Sequence, residues 1–264
     1  TLFGYEAMYS GSGASESTVV GYQAGYHLRA GDKNTIMGYQ AGYNLRDTFE
    51  HVAIGYKSLY TLESLNEDDA GYDYGQARSV AVGAYALHLS QDRGEVYNGN
   101  VAVGHSAGYK GGADMQFAGN VYVGNSAGYW HDAGGCVFIG QNAGSNYMSG
   151  SYNVAVGRYA MRGYVTSSTT GNYNVAIGPE AGYNWTNGFN SVVMGYRTGY
   201  HGAGYRDMTL LGAYAGYNMS GSQQYNVYVG SSAGYGKSLA SGNVAVGYSA
   251  IGNTDWRDNL SSVN

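Results

Sequence analysis

Apolar positions recur along this chain in a fixed relation to glycine. A segment like Asn153-Val154-Ala155-Val156-Gly157 occurs fourteen times, with glycines at 4, 21, 38, 55, 83, 104, 124, 140, 157, 178, 195, 212, 230 and 247. The steps between them are 17, 17, 17, 28, 21, 20, 16, 17, 21, 17, 17, 18 and 17 residues. A period of this size is the signature of a solenoid, in which each repeat is one coil stacked on the next. The residue before every motif glycine is large and apolar, and the residue three after it is small, alanine in twelve of the fourteen repeats. A large residue facing a small one suits a narrow two-sided coil. The β-branched run before the glycine predicts a short strand, for instance over 153–156 and 243–246. The glycine then turns the corner. A second short strand is expected after it, as in Tyr22-Gln23-Ala24-Gly25-Tyr26. The remainder of each repeat is a variable turn rich in Gly, Ser and Asn. With 45 glycines spread through 264 residues, no stretch favours a helix. The fold class is therefore all-β, a parallel β-solenoid of about fourteen short coils. Residues 1–264 form one array, with an acidic insertion loop at about 61–78 and a terminal segment at 253–264.

Strand alternation divides the motif between two faces. The residues three and one before the glycine share one face, read here as the core, so that Val103, Val156 and Val229 should be inaccessible. The residue between them should then point outward. It is apolar or aromatic in all fourteen repeats and never charged. Such a stripe exceeds what a monomer normally leaves in water. Leu2, Val19, Ile36, Tyr122, Phe138, Val193, Leu210 and Tyr228 are accordingly expected as interchain contacts, and self-association as the principal partnership.

Two polar columns stand out. Four before the glycine, asparagine fills seven of thirteen repeats, as at Asn34, Asn120 and Asn153. It reads equally as a hydrogen-bonded ladder along the solenoid or as a residue capping its own turn. The second column is tyrosine, of which there are 30. Tyrosines follow the glycine directly in several repeats. Five after it stand Tyr26, Tyr43, Tyr60, Tyr183, Tyr200, Tyr217 and Tyr235, a predicted aromatic ladder. These rings close the ends of a thin core, or else offer a flat surface to sugars or to a partner fibre.

Charge and candidate chemistry narrow the function. Only 12% of residues are charged and the net charge is −5, which argues against a nucleic-acid partner. No apolar run reaches membrane-spanning length, so no membrane insertion is expected. The single cysteine, Cys136, allows no internal disulfide and reads as an inert buried thiol. Six histidines lack metal-ligand spacing. Glu6 and Glu180 stand far apart, and no carboxylate pair is placed for glycosidic cleavage. The acidic residues at 63, 67, 68, 69 and 73 match no calcium loop and read as solvated surface. We therefore expect no enzyme and no cofactor. Asn184, Asn218 and Asn259 lie in glycosylation sequons.

The runs Asn243-Val-Ala-Val-Gly-Tyr-Ser-Ala250, Asn174-Val-Ala-Ile-Gly178 and Asn34-Thr-Ile-Met-Gly-Tyr-Gln-Ala41 resemble the head repeats of trimeric autotransporter adhesins. They resemble equally the related repeats of phage and viral tail-fibre proteins. The resemblance covers nearly the whole chain. It implies a left-handed β-roll, trimeric or part of a filament, in a fibre that is extracellular, on a cell surface or on a virion. The usual step of 17 residues is longer than that of adhesin heads. A structural or adhesive fibre, with a surface glycan as a further expected partner, is the reading that results. The alternative is an ice- or glycan-binding solenoid using its tyrosine ladder, against which the uneven steps and the breaks at His88, Ser145 and Arg162 weigh. A polysaccharide-cleaving tailspike would need the missing carboxylate pair. Thr1-Leu2-Phe3-Gly4 lacks only the first motif residue, and joining Asn264 to Thr1 would complete it. The chain is thus expected to continue a longer repeat or to stack head to tail.

Overall fold

The computed structural model describes residues 1–11, 15–29, 31–46, 48–60, 78–89, 99–109, 119–146, 149–163, 170–202, 204–219, 221, 223–236 and 241–252. The insertion loop at 61–77 and the segment 253–264 lie outside them. Fourteen strands form one parallel sheet in chain order. They are β1 (Leu2–Phe3), β2 (Thr18–Val20), β3 (Thr35–Met37), β4 (Val52–Ile54), β5 (Val80–Val82), β6 (Val101–Val103) and β7 (Val121–Val123). The other seven are β8 (Val137–Ile139), β9 (Val154–Val156), β10 (Val175–Ile177), β11 (Val192–Met194), β12 (Thr209–Leu211), β13 (Val227–Val229) and β14 (Val244–Val246). Each ends at the residue before a motif glycine. Each motif residue pairs with its equivalent in the next repeat, as Ala155 with Ala176 and Val156 with Ile177. No helix occurs among the described residues. The chain is a β-solenoid with one strand per repeat.

The two faces of the strand are the reverse of the expectation. The central strand residue, not the one before the glycine, fills the lumen. Val19, Ile36, Tyr122, Phe138, Val193, Leu210 and Tyr228 are all fully buried inside their own coils, so none is available for interchain contact. Leu2 stands in the same column, in register with Val19, but is exposed on the first strand. Conversely Val103 is 38% exposed, and Val156 and Val229 are half-buried. The small residue three after the glycine, such as Ala24, Ala143 or Ala215, is buried with the central strand residue. The lumen therefore takes one side chain from the strand and one alanine from the opposite wall.

The volume of the lumen explains the choice. In eight coils the central strand residue is bulky, and in seven of these the residue four after the motif glycine is itself glycine: Gly25, Gly42, Gly128, Gly144, Gly199, Gly216 and Gly234; the eighth, Leu2 on the exposed first strand, has Met8. A Cβ at Gly128 would collide with the Tyr122 ring, and one at Gly144 with the Phe138 ring. Where the central residue is Ala53, Ala81 or Ala155, the same position holds Leu59, Leu87 or Met161, all buried. Two coils depart from this pattern: Ala176 keeps Gly182, where the buried Trp185 fills the space, and Ala102 keeps Gly108, where Leu87 and Tyr122 of the neighbouring coils close in. Close packing at nearly constant coil volume demands this exchange.

The expected second strand is absent. Residues one to five after the glycine form a chain of turns. The residue two after it has φ between 49° and 59° in every repeat, from Gln23 to Ser249. The residue four after it is also left-handed in every repeat, including Leu59, Leu87 and Met161. Strands need extended backbone, so this wall cannot be one. Its amides still bond between coils, as Gln23 N to Tyr5 O at 2.9 Å and Gly25 N to Ala41 O at 2.9 Å. Backbone groups in the turned wall are thus satisfied without a sheet.

Candidate interaction surfaces

The asparagine column is a buried ladder. The Asn120 side-chain oxygen accepts from the Cys136 backbone N–H at 2.9 Å, and its amide donates to Ala133 O at 2.9 Å. Asn153 and Asn174 repeat the pattern, with Asn174 N donating to the Asn153 oxygen at 2.9 Å and Ser191 N to the Asn174 oxygen at 3.1 Å. Each side chain thus accepts from the same position one coil further on. The column tolerates other acceptors. Cys136 Sγ accepts from Asn153 N at 3.3 Å, and His51 Nδ1 from Ser79 N at 3.3 Å. Burial pushes the Cys136 thiol up to about 11, which keeps it protonated and unreactive. Burial holds His51 down at about 4, so it is a neutral acceptor near pH 7. His131 is neutral for the same reason, at about 4. Its Nε2 donates to Gly150 O at 3.0 Å, and its Nδ1 accepts from the Tyr122 hydroxyl at 2.7 Å. These groups hold the fold together and face no solvent.

The tyrosines stack from coil to coil. Directly after the glycine, Tyr5, Tyr22, Tyr39 and Tyr56 form one row with centroids 5.5, 5.2 and 5.2 Å apart. Five after it, Tyr9, Tyr26, Tyr43 and Tyr60 stack at 5.1, 5.0 and 5.2 Å. His88, read from sequence as a break, continues this row, 5.0 Å from Tyr60 and 5.1 Å from Tyr109. Tyr129 follows at 4.8 Å. The row stops at Ser145 and Arg162. It resumes at Tyr183, Tyr200, Tyr217 and Tyr235, spaced 4.7, 5.2 and 5.2 Å. Because each ring covers the next, the ladders present edges and hydroxyls to water, with few free faces.

Three arginines gather where the ladder is interrupted. Glu180, nearly buried, pairs with Arg197 at 2.7 Å and with Arg158 at 3.6 Å. Arg162 lies over the Tyr159 ring at 5.6 Å and the Tyr183 ring at 5.3 Å, and donates to the Tyr183 hydroxyl.

The outward face of the sheet is a long uniform surface. It carries the first and third residue of each strand: Val, Ile, Leu, Met and Phe, with threonine only at Thr18, Thr35 and Thr209. No charged or amide side chain interrupts it. Met37 is 41% exposed and Met194 40%. The parallel register stacks like on like, Val121 on Val137 and Val123 on Ile139. This face, and not the central strand column, is the candidate contact surface.

Of the sequon asparagines, Asn218 is exposed. Asn184 is half-buried, its amide donating to His201 Nδ1 at 3.1 Å. Asn259 lies outside the described residues. No group of three or more metal-ligating side chains occurs among the described residues. No helix there is long and apolar enough to cross a membrane. Comparison of the chain with protein-family models, with characterised proteins and with solved structures gives no match.

Two signals for this arrangement were present in the sequence. The inverse relation between the central strand residue and the fourth residue after the glycine marks both as lumen-facing. The first two residues after the glycine are never β-branched in fourteen repeats, which speaks for turn and against strand.

Proposed function

We propose that this chain is a non-enzymatic structural or adhesive fibre element that self-associates laterally through the outward face of its sheet. The observation that carries the reading is that face. At about 4.8 Å per strand and about 7 Å across its two columns, it spans some 65 Å and on the order of 450 Å². That is the size of the largest apolar patch on a typical monomer, which is often a contact site, and it is unbroken by charge. An identical copy is the partner that fits best. A flat ladder of β-branched residues repeating at one spacing matches another such ladder, and closed symmetry buries it without leaving an edge. The repeat resemblance favours three copies around one axis and a setting on a cell surface or virion.

The ice- or neutral-glycan-binding reading draws less support. Threonine occupies too few positions on the flat face to form a regular hydroxyl array. The tyrosine rings spend their faces on one another.

The test is the mass of the purified chain in solution. A discrete oligomer is expected, and Val103→Lys with Met194→Lys should reduce it to a monomer of unchanged circular dichroism. A wild-type chain that stays monomeric at high concentration would remove the proposal.

A further inference from the structure

The arginine cluster calls for a ligand of its own. Between Asp132 and Asp207 the chain carries four arginines and a single carboxylate, Glu180, although its net charge is −5. Three of the four meet at one corner of the solenoid. Arg158 and Arg162 stand in the β9 coil, and Arg197 stands two coils further on. Glu180, between them, offsets one charge of the three. The guanidiniums are held in place by rings. Arg158 lies 5.1 Å from the centroid of Tyr159, and Arg197 lies 5.1 and 5.5 Å from those of Tyr196 and Tyr200. Stacking on a ring uses the plane of a guanidinium and leaves N–H edges for an acceptor. The Arg158 side chain is more than half exposed. A cation fixed in this way loses little freedom when it meets an anion, so more of the charge-assisted hydrogen bond appears as affinity.

We propose that this corner binds an acidic polysaccharide carrying a carboxylate or sulfate on alternate sugars. The spacing supports the class. The Tyr183 ring of the coil between them and the Tyr200 ring of the Arg197 coil lie 4.7 Å apart. At about 4.8 Å per coil, Arg197, two coils on, sits about 10 Å along the solenoid from Arg158 and Arg162. That is close to one disaccharide unit of an extended chain, so two anions of one strand meet the two arginine stations. Tyr183, in the coil between them, holds Arg162 through its hydroxyl and presents its ring edge to the intervening sugar. A nucleic acid is the poorer candidate, because its dense phosphates would meet an acidic protein on either side of the cluster. The inference deepens the adhesive reading by naming a ligand class. It does not require the oligomer: binding is read on the chain in solution, whereas the fibre reading is tested by mass, so either can fail alone.

The experiment is calorimetric titration at low ionic strength with four probes: heparin, polygalacturonate, dextran and single-stranded DNA. Heparin or polygalacturonate should bind, salt should weaken the binding, and dextran should not bind. Preference between the two anionic polymers decides sulfate against carboxylate. Arg158→Ala with Arg162→Ala should weaken binding at least tenfold, while Arg29→Ala with Arg46→Ala should leave it unchanged. Arg197 is spared because it neutralises the nearly buried Glu180. Should the double variant fold poorly, Arg158→Gln alone, at an exposed side chain, should still weaken binding severalfold. Four results would overturn the proposal: no binding of either anionic polymer, equal losses in both variant pairs, dextran binding as tight as heparin, or DNA bound tighter than both.

Discussion

A Cβ built on Gly124 would stand 2.7 Å from the carbonyl oxygen of Gly140. The same approach recurs from each motif glycine to the next, and it sets how closely the coils stack. Gly124 also has φ +133°, a conformation open in practice only to glycine. Gly247, in the last described coil, shares the conformation but has nothing within 4 Å of an added Cβ. Gly247→Ala should therefore cost only the backbone strain, about 1–3 kcal/mol. Gly124→Ala adds a clash with backbone that cannot rotate away, and it should cost distinctly more or prevent folding. Thermal unfolding of the two variants tests this. Equal losses would mean that coil contact contributes nothing.

The inversion of the strand faces gives a sharper contrast, between neighbours. Ala155 is fully buried between Phe138 and Ala176, while Val156 lies half-buried on the outer face beside Ile139 and Ile177. Ala155→Asp places a carboxylate in a lumen where no Lys or Arg is buried among the described residues, and it should cost several kcal/mol. Val156→Asp should cost the folded chain on the order of 1 kcal/mol, a strand-propensity effect, and should chiefly weaken self-association. Denaturant unfolding read beside solution mass separates the two effects. A Val156→Asp chain as unstable as Ala155→Asp would return the core to the other face.

What the sequence made legible follows from what a repeat preserves. The motif glycines mark the strand ends, because their φ and their stacking both exclude side chains. The choice of face was harder, because both strand columns are apolar and alternation gave no contrast. The pairing of Ile36 with Gly42, against Ala53 with Leu59, carries the answer, but only once coil volume is held constant. The turned wall was misread because Ala24 and Tyr26 suit a strand as readily as a turn. His88 was misread because a histidine ring was counted as a break in a tyrosine column, although ring stacking is indifferent to that exchange. The arginine corner is spread over three coils, from Arg158 through Glu180 to Arg197, and becomes a cluster only when the coils are stacked.

The turned wall makes a prediction at Ser232, whose φ is 59°. A β-branched side chain is the poorest choice there, whereas asparagine enters the left-handed region readily. Ser232→Val should lower stability by about 1–3 kcal/mol, while Ser232→Asn should leave it nearly unchanged. Urea unfolding midpoints of the pair provide the check. A stable valine variant would mean that this wall can adopt extended backbone.

His51 links the buried ladder to pH. It occupies the asparagine position of its coil, is fully buried, and its Nε2 has no hydrogen-bond partner. Burial depresses its folded pKa from the ordinary 6.5 to about 4. The unfolded chain therefore takes up the proton first as pH falls. Stability present above pH 6.5 declines below it and is lost in full once pH passes below about 4. That depression corresponds to about 3 kcal/mol. His131, depressed to the same value, adds a loss of the same sign. His51→Asn keeps an acceptor for Ser79 N, as Asn34 does for His51 N at 3.0 Å, and removes the titrating ring. The variant should match the wild type near pH 7 or exceed it slightly, because the unpaired Nε2 is gone. Between pH 6.5 and 4 it should lose less stability than the wild type, the remaining loss coming from His131 and from His27, His88 and His201, whose pKa burial also lowers. Chemical denaturation across that pH range tests the assignment. A variant whose pH profile superimposes on the wild type would show that His51 is protonated or solvated in the folded chain.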